Sequence, residues 1–146
     1  MLDQPNAKGE SDMPVNIVKE SIDIGLVTGN IDAMTNFYRD TLGLELEAVL
    51  DMAGGMQMTR LICGSTIIKL VTLPKTPEAG NPPGGIGGGS GIRYFTISVD
   101  NLEAAVDECR AAGCAIPVPI RESRPGITIA MIEDPDGNWV ELLQHG

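Results

Sequence analysis

The sequence predicts an α+β protein made of two tandem βαβββ modules. Three observations carry that expectation. A strand-like run followed by a helical period and three further strand-like runs occurs twice along the chain. The copies superpose at a nearly constant offset: Ile31 aligns with Leu102 and Lys69 with Glu141, about 70 residues apart in both cases, as expected of an internal duplication. Between them lies "PKTPEAGNPPGGIGGGSG", residues 74–91, whose proline and glycine content interrupts any regular element.

Taken in order, residues 1–18 are polar, with scattered Pro, Asn, Gly and Asp, and read as a disordered or loosely docked tail before a single domain over 19–146. Module 1 covers about 20–73. Its first strand is "SIDIGLVTG", and "NIDAMTNFYRDTLGLE" follows as a helix with Asn30 as N-cap, Ile31, Met34, Phe37, Tyr38 and Leu42 at helical spacing, and Gly43 as terminator. "LELEAVLDM", "MQMTRLICG" and "STIIKLVTL" are strands, separated by Gly54-Gly55 and Gly64. The 74–91 stretch then reads as a mobile connection, a linker in preference to a lid that orders over a ligand; its "GGIGGGSG" lacks the GK[ST] ending of a phosphate loop. Module 2, about 92–146, repeats the pattern with strand "IRYFTISVD", helix "NLEAAVDECRAAG" and strands "CAIPVPIRE", "GITIAMIED" and "NWVELLQ".

Composition narrows the function. Twenty acidic against ten basic residues give a net charge of −10, which disfavours nucleic acid and anionic membranes, both of which need basic patches. A cationic or neutral small molecule is the expected partner. Cys63, Cys109 and Cys114 are odd in number and have no CxxC spacing, so neither a disulfide framework nor a zinc knuckle is expected, and a cytoplasmic, reducing location is the default. No run of apolar residues is long enough for a membrane span.

Strand alternation puts Asp23, Gly25 and Val27 on one face of the first strand, and Ile67, Lys69 and Val71 on one face of the fourth. In module 2 the corresponding sets are Tyr94, Thr96 and Ser98, and Trp139, Glu141 and Leu143. Lys69 is the anomaly, a cation among Ile67, Ile68, Leu70 and Val71.

The stretches "FYRDTLGLE" at 37–45, "SVDNLEAAVDECRAAG" at 98–113 and above all "DPDGNWVELLQ" at 134–144 resemble the vicinal oxygen chelate superfamily of glyoxalase I, bleomycin-resistance proteins and extradiol dioxygenases. The resemblance covers residues 20–145. It implies that the two modules curl into a cup-shaped sheet, that a homodimer forms, and that the ligand sits in the cup on a divalent metal held by four inward side chains. Those four positions fall on Asp23, Lys69, Tyr94 and Glu141, of which only Glu141 keeps the family's usual ligand. A charged lysine repels a metal, a tyrosine phenol is a poor ligand at neutral pH, and the only histidine is His145 beside the C-terminus. No metal and no other cofactor is therefore expected.

Two function classes follow. In the first, a metal-independent lyase or isomerase acts on a small carbonyl or polar organic metabolite, with the Lys69 ammonium replacing the cation, Glu141 or Asp23 as base, and Tyr94 as acid or second donor. Trp139, Met58, Ile67 and Thr96 would line the substrate. In the second, the cup binds a compound without reacting, as in bleomycin resistance, and Lys69 is a salt-bridged staple in the metal's place. A conventional divalent-metal lyase or dioxygenase is a third reading, disfavoured by the missing histidines.

Overall fold

A computed structural model of the protein describes residues 14–146. Most of the expected tail, residues 1–13, lies outside the described residues. Module 1 comprises β1 (Ile24–Val27), helix α1 (Ile31–Thr35) continued as a π-helical stretch over Asn36–Thr41, β2 (Glu45–Asp51), β3 (Gln57–Cys63) and β4 (Thr66–Thr72). Module 2 comprises β5 (Tyr94–Ser98), α2 (Leu102–Ala111), β6 (Val118–Arg124), β7 (Ile127–Glu133) and β8 (Trp139–His145).

Each module folds its strands into a four-stranded mixed sheet, in the orders β1-β4-β3-β2 and β5-β8-β7-β6. The first strand of each module pairs in parallel with its last, and the remaining neighbours are antiparallel. Parallel pairing needs a crossover, which the helix supplies. The repeat seen in the sequence is thus a repeat of topology.

Both helices pack on the same side of the sheets they cross. Met34, Phe37 and Tyr38 from the first helical segment, Leu61, Ile68 and Leu70 from β3 and β4, Leu102, Val106 and Cys109 from α2, and Ala130, Ile132, Val140 and Leu142 from β7 and β8 form one buried cluster. Full burial of each large aliphatic side chain among them contributes roughly 1.5–3 kcal/mol, so this shared core is the main reason the modules stay together. A polar tie reinforces it. The Tyr38 hydroxyl, fully buried, donates to Asp134 Oδ2 at 2.6 Å across the module boundary.

Asp134 opens the DPDG turn between β7 and β8, where its carboxylate also accepts from the Asp136 and Asn138 amides at 2.9 Å and from Asn138 Nδ2 at 2.8 Å. Gly137, at φ +84°, supplies the left-handed residue of this turn. The most specific motif of the sequence therefore serves as a structural clamp. Burial pushes the Asp134 carboxyl up, against the hydrogen bonds from Tyr38, Asn138 and Asp136 that favour its anion.

Four sequence expectations need correction. Asn30 stands at the N-cap but its side chain makes no capping bond; its own amide instead donates to buried Thr28 Oγ1 at 2.9 Å. The first helix widens after Thr35, with the Leu42 amide reaching back to Phe37 O at 2.9 Å, a five-residue step. The strand expected over "CAIPVPIRE" begins only at Val118, because Cys114 N is bonded to Cys109 O at 3.0 Å in the helix terminus and Pro117 precedes the ladder. The fourth concerns residues 74–91, within which Asn81, Pro82 and Gly85 take specific bonds to the domain, described below.

Candidate functional site

The open faces of the two sheets, turned away from the helices, carry the side chains that strand alternation predicts. In module 1 the register sets Gly25 beside Lys69 and Lys69 beside Arg60. In module 2 it sets Thr96 beside Glu141 and Glu141 beside Met131. Lys69 and Glu141 thus occupy equivalent places, the centre of the last strand, each flanked by the first strand of its own module. Neighbouring Ile68, Leu70, Val140 and Leu142 point the other way into the core.

The charges around Lys69 are already engaged with one another. Asp23, immediately before β1, accepts from Lys19 Nζ and from the Ile67 amide through one oxygen, at 2.6 and 2.8 Å. The Lys19 hydrogen bond, the Ile67 amide and, more weakly, the charge of Lys69 hold the Asp23 carboxyl below its usual value. Glu47, on the bulged strand β2, pairs with Arg60. Asp23 therefore belongs to Lys19 rather than to Lys69, and among the described residues no ion pair involves Lys69. The salt-bridged staple expected for Lys69 is absent among those residues.

Glu141 has a neutral partner. Thr96 Oγ1 donates to Glu141 Oε1 at 2.7 Å, and no bond to the second oxygen involves a described residue. Tyr94, 43 % exposed, presents its ring on the same face one pleat away.

Asp23, Tyr94 and Trp139 line one cavity of about 450 Å³ between the beginnings of β1 and β5, with Ile22, Ile92 and Phe95 among its apolar walls. Lys69 and Glu141 lie outside that lining. The four positions therefore divide into two at the cavity and two at the strand centres. Of the other residues expected to line a substrate, Met58 lies beside Val71 and is half-buried, Thr96 is bound to Glu141, and Ile67, at 8 % exposure, has little surface to offer. The Trp139 indole donates to Glu133 Oε1 at 2.9 Å and carries the docked glycine-rich segment on its face.

Sequence reading favours a linker over a lid for that segment and does not place it against Trp139. Asn81 donates to Asp136 O and Asn138 Oδ1, both at 3.2 Å. Arg93, read from alternation as a surface or dimer-side charge, donates to Gly85 O and Pro82 O at 2.7 Å and to Asn81 Oδ1 at 3.3 Å. An arginine just after a glycine-rich run was the only available signal.

A divalent metal does not suit this donor set. Asp23 is bound to an ammonium and an amide, Lys69 is a cation, and Tyr94 offers a phenol. Among the described residues no group of three or more His, Cys, Asp or Glu is placed to hold a metal ion, and no helix is long and apolar enough to cross a membrane.

Comparison with known proteins agrees with the topology. The sequence profile of the "Glyoxalase/Bleomycin resistance protein/Dioxygenase superfamily" matches residues 22–142. A "Probable lactoylglutathione lyase" of Synechocystis is 28 % identical over 120 residues, covering 80 % of this chain and 88 % of that protein. A chloroplastic "Probable lactoylglutathione lyase" of Arabidopsis thaliana is 29 % identical over 121 residues, 81 % of this chain, which spans only 33 % of that relative's length. Among solved structures, a glyoxalase family protein from Bacillus cereus superposes with a TM-score of 0.76 at 15 % identity, covering 91 % of this chain and 98 % of the other. Glyoxalase I from Zea mays gives 0.70 at 20 % identity, over 85 % of this chain and 44 % of the maize chain.

Proposed function

Because the chain belongs to the glyoxalase/bleomycin resistance protein/dioxygenase superfamily, we propose that it is a metal-independent lyase or isomerase acting on a small carbonyl compound at the open sheet faces, with Lys69 in the place of the metal cation. The observation that carries this reading is the pairing of positions. Lys69 and Glu141 stand at equivalent register places of the duplicated sheets, and the carboxylates near Lys69 are bound to Lys19 and Arg60. Among the described residues the Lys69 ammonium has no carboxylate partner, which leaves its donors available to a substrate carbonyl oxygen.

The chemistry follows from the bonds each group still has to offer. The Glu141 oxygen that Thr96 does not hold takes a proton from the carbon next to the substrate carbonyl. The resulting enolate oxygen accepts a hydrogen bond from the Lys69 ammonium, a charge-assisted contact that strengthens as negative charge develops. In a 2-hydroxy carbonyl substrate, transfer of the hydroxyl proton to the enolate oxygen and return of the Glu141 proton to the former carbonyl carbon gives the isomer; expulsion of a leaving group from the carbon beyond the enolate, with the Glu141 proton going to that group, gives the lyase product. Tyr94 acts as second donor, and Asp23 fixes the start of β1. Two curated relatives bear the name "Probable lactoylglutathione lyase", which supports a lyase reading here.

The test is deuterium exchange into a panel of small 2-hydroxy and 2-oxo carbonyl compounds in D₂O, followed by proton NMR. Protein-dependent exchange at the carbon next to the carbonyl is expected. It should survive EDTA, disappear in Glu141→Gln and fall at least about a hundredfold in Lys69→Met, the scale of losing one preorganised donor to an oxyanion. Abolition by EDTA with recovery on adding Zn²⁺, Ni²⁺ or Mg²⁺ would overturn metal independence.

A second reading, a binding protein without turnover, draws on the apolar cavity wall formed by Ile22, Ile92 and Tyr94, which are 81 %, 94 % and 43 % exposed. Saturable thermal stabilisation by a compound that shows no exchange favours it.

A further inference from the structure

We infer that Arg93 is a positioning residue that latches Asn81–Gly88 as a strap over Trp139, and that the strap, when latched, divides one ligand chamber into two. The division is visible in the walls. A second cavity, of about 480 Å³, lies beside the first and is lined by Gly25–Gly29, Thr76, Pro77, Ala79–Pro82, Asp136 and Asn138. The two cavities share Gly25, Leu26, Asn81 and Asn138. The hydrogen bond between the Asn81 and Asn138 side chains, at 3.2 Å, therefore stands at their boundary.

The latch depends on few bonds. Arg93 reaches three strap groups, Gly85 O, Pro82 O and Asn81 Oδ1, and Asn81 in turn reaches the β7–β8 turn. The strap has no ladder partner in either sheet, its own order being a single 3₁₀ turn over Gly85–Gly87. Gly85 is buried flat on the indole with φ +55°, and a Cβ there would collide with Trp139. Only glycine fits this place, since it needs both the left-handed backbone and the missing side chain. A planar guanidinium with several donors in fixed directions suits the gathering of three acceptors, which a lysine ammonium reaches less well.

Lifting the strap removes Asn81 from the boundary and joins an aromatic compartment, walled by Tyr94, Phe95 and Trp139, to a polar one walled by Thr28, Thr76 and Asp136. The latch thereby sets the size of molecule the chain admits. Because the inference uses neither Lys69 nor Glu141, it stands apart from the proposed reaction.

Trp139 is the only tryptophan, so its fluorescence reports on the strap directly. Arg93→Met is expected to shift emission to the red, to raise the acrylamide quenching constant at least twofold, and to open cleavage by subtilisin within residues 76–91. Arg93→Lys should fall between wild type and Arg93→Met. Gly85→Ala, which leaves Arg93 intact, should reproduce the emission and quenching change. Amide exchange in β7 and β8 should stay at the wild-type rate in all three, which separates strap release from general loosening of the fold. Lys69→Met should leave the tryptophan signal unchanged. Wild-type emission, quenching and proteolysis in both Arg93→Met and Gly85→Ala would overturn the inference, as would red-shifted emission accompanied by accelerated exchange across β7 and β8.

Discussion

Replacing Tyr38 by phenylalanine removes one oxygen and tests whether the bond between the modules carries energy. The hydroxyl is fully buried and donates at 2.6 Å to Asp134, itself 3 % exposed, so neither group exchanges the bond for water while the chain stays folded. A hydrogen bond to a charged acceptor contributes about 1.5–3 kcal/mol, and Asp134 keeps three other donors in the variant. Tyr38→Phe is therefore expected to cost about 2 kcal/mol, near the middle of that range, which for a domain of this size lowers Tm by roughly 5–10 °C. Asp134→Ala should cost more, since it strands the Tyr38 hydroxyl, two turn amides and the Asn138 amide together. Urea unfolding of wild type, both single variants and the double variant, followed by circular dichroism, gives the coupling between the two side chains, expected at about 1–2 kcal/mol. A Tyr38→Phe cost below about 0.5 kcal/mol with no coupling would show that apolar packing alone holds the modules together.

Two further expectations concern ionisation and reactivity. The Asp23 carboxyl titrates below its usual value, so its tie to Lys19 and the Ile67 amide is complete above the ordinary carboxylate pKa and is lost only as pH falls through the lowered folded value. Ile67 amide exchange, followed by NMR, should stay protected down to about pH 4, and Lys19→Ala should move the Asp23 titration up; an unchanged titration in that variant would assign the shift elsewhere. Burial, helped by nearby Cys114, pushes the Cys109 thiol up to about 11, and its surface is closed to solvent. Iodoacetamide at pH 8 should therefore leave Cys109 unlabelled in the folded protein and label it in urea, as mass spectrometry of tryptic peptides would show; rapid native labelling would contradict the packing of α2.

The duplicated architecture was legible because alternation and helical spacing report a burial pattern, and the core obeys it: Ile68, Leu70, Val140 and Leu142 are inside while Lys69 and Glu141, one residue removed, are not. The strand positions of Lys69, Tyr94 and Glu141 were legible for the same reason, whereas Asp23 stands just before β1. What was illegible depends on which of several possible partners each polar group takes. Alternation puts Asp23 on the same face as Lys69, but it does not show the capture of Asp23 by Lys19 four residues before it. Likewise the composition of residues 74–91 correctly excludes helix and strand, yet composition cannot report that Arg93 and Trp139 hold the segment in place. Proline and glycine lower the entropy lost or permit unusual backbone; they do not by themselves make a loop mobile.

The electrostatic consequence for Lys69 is specific to this arrangement of neighbours. Had Asp23 been free, an ion pair with Lys69 would have neutralised the ammonium and left little attraction for a ligand anion. Lys19 and the Ile67 amide instead satisfy Asp23, and Arg60 satisfies Glu47. Both are local pairs, made within β1's approach and between adjacent strands, so they form with the sheet itself and need no ligand. On the proposed reading, the ammonium, with no ion-pair partner among the described residues, answers charge that develops on the open face. A metal ion in the same position would demand three or four protein donors, whereas the proposed role of Lys69 needs only its strand and two nearby carboxylates that are bound elsewhere.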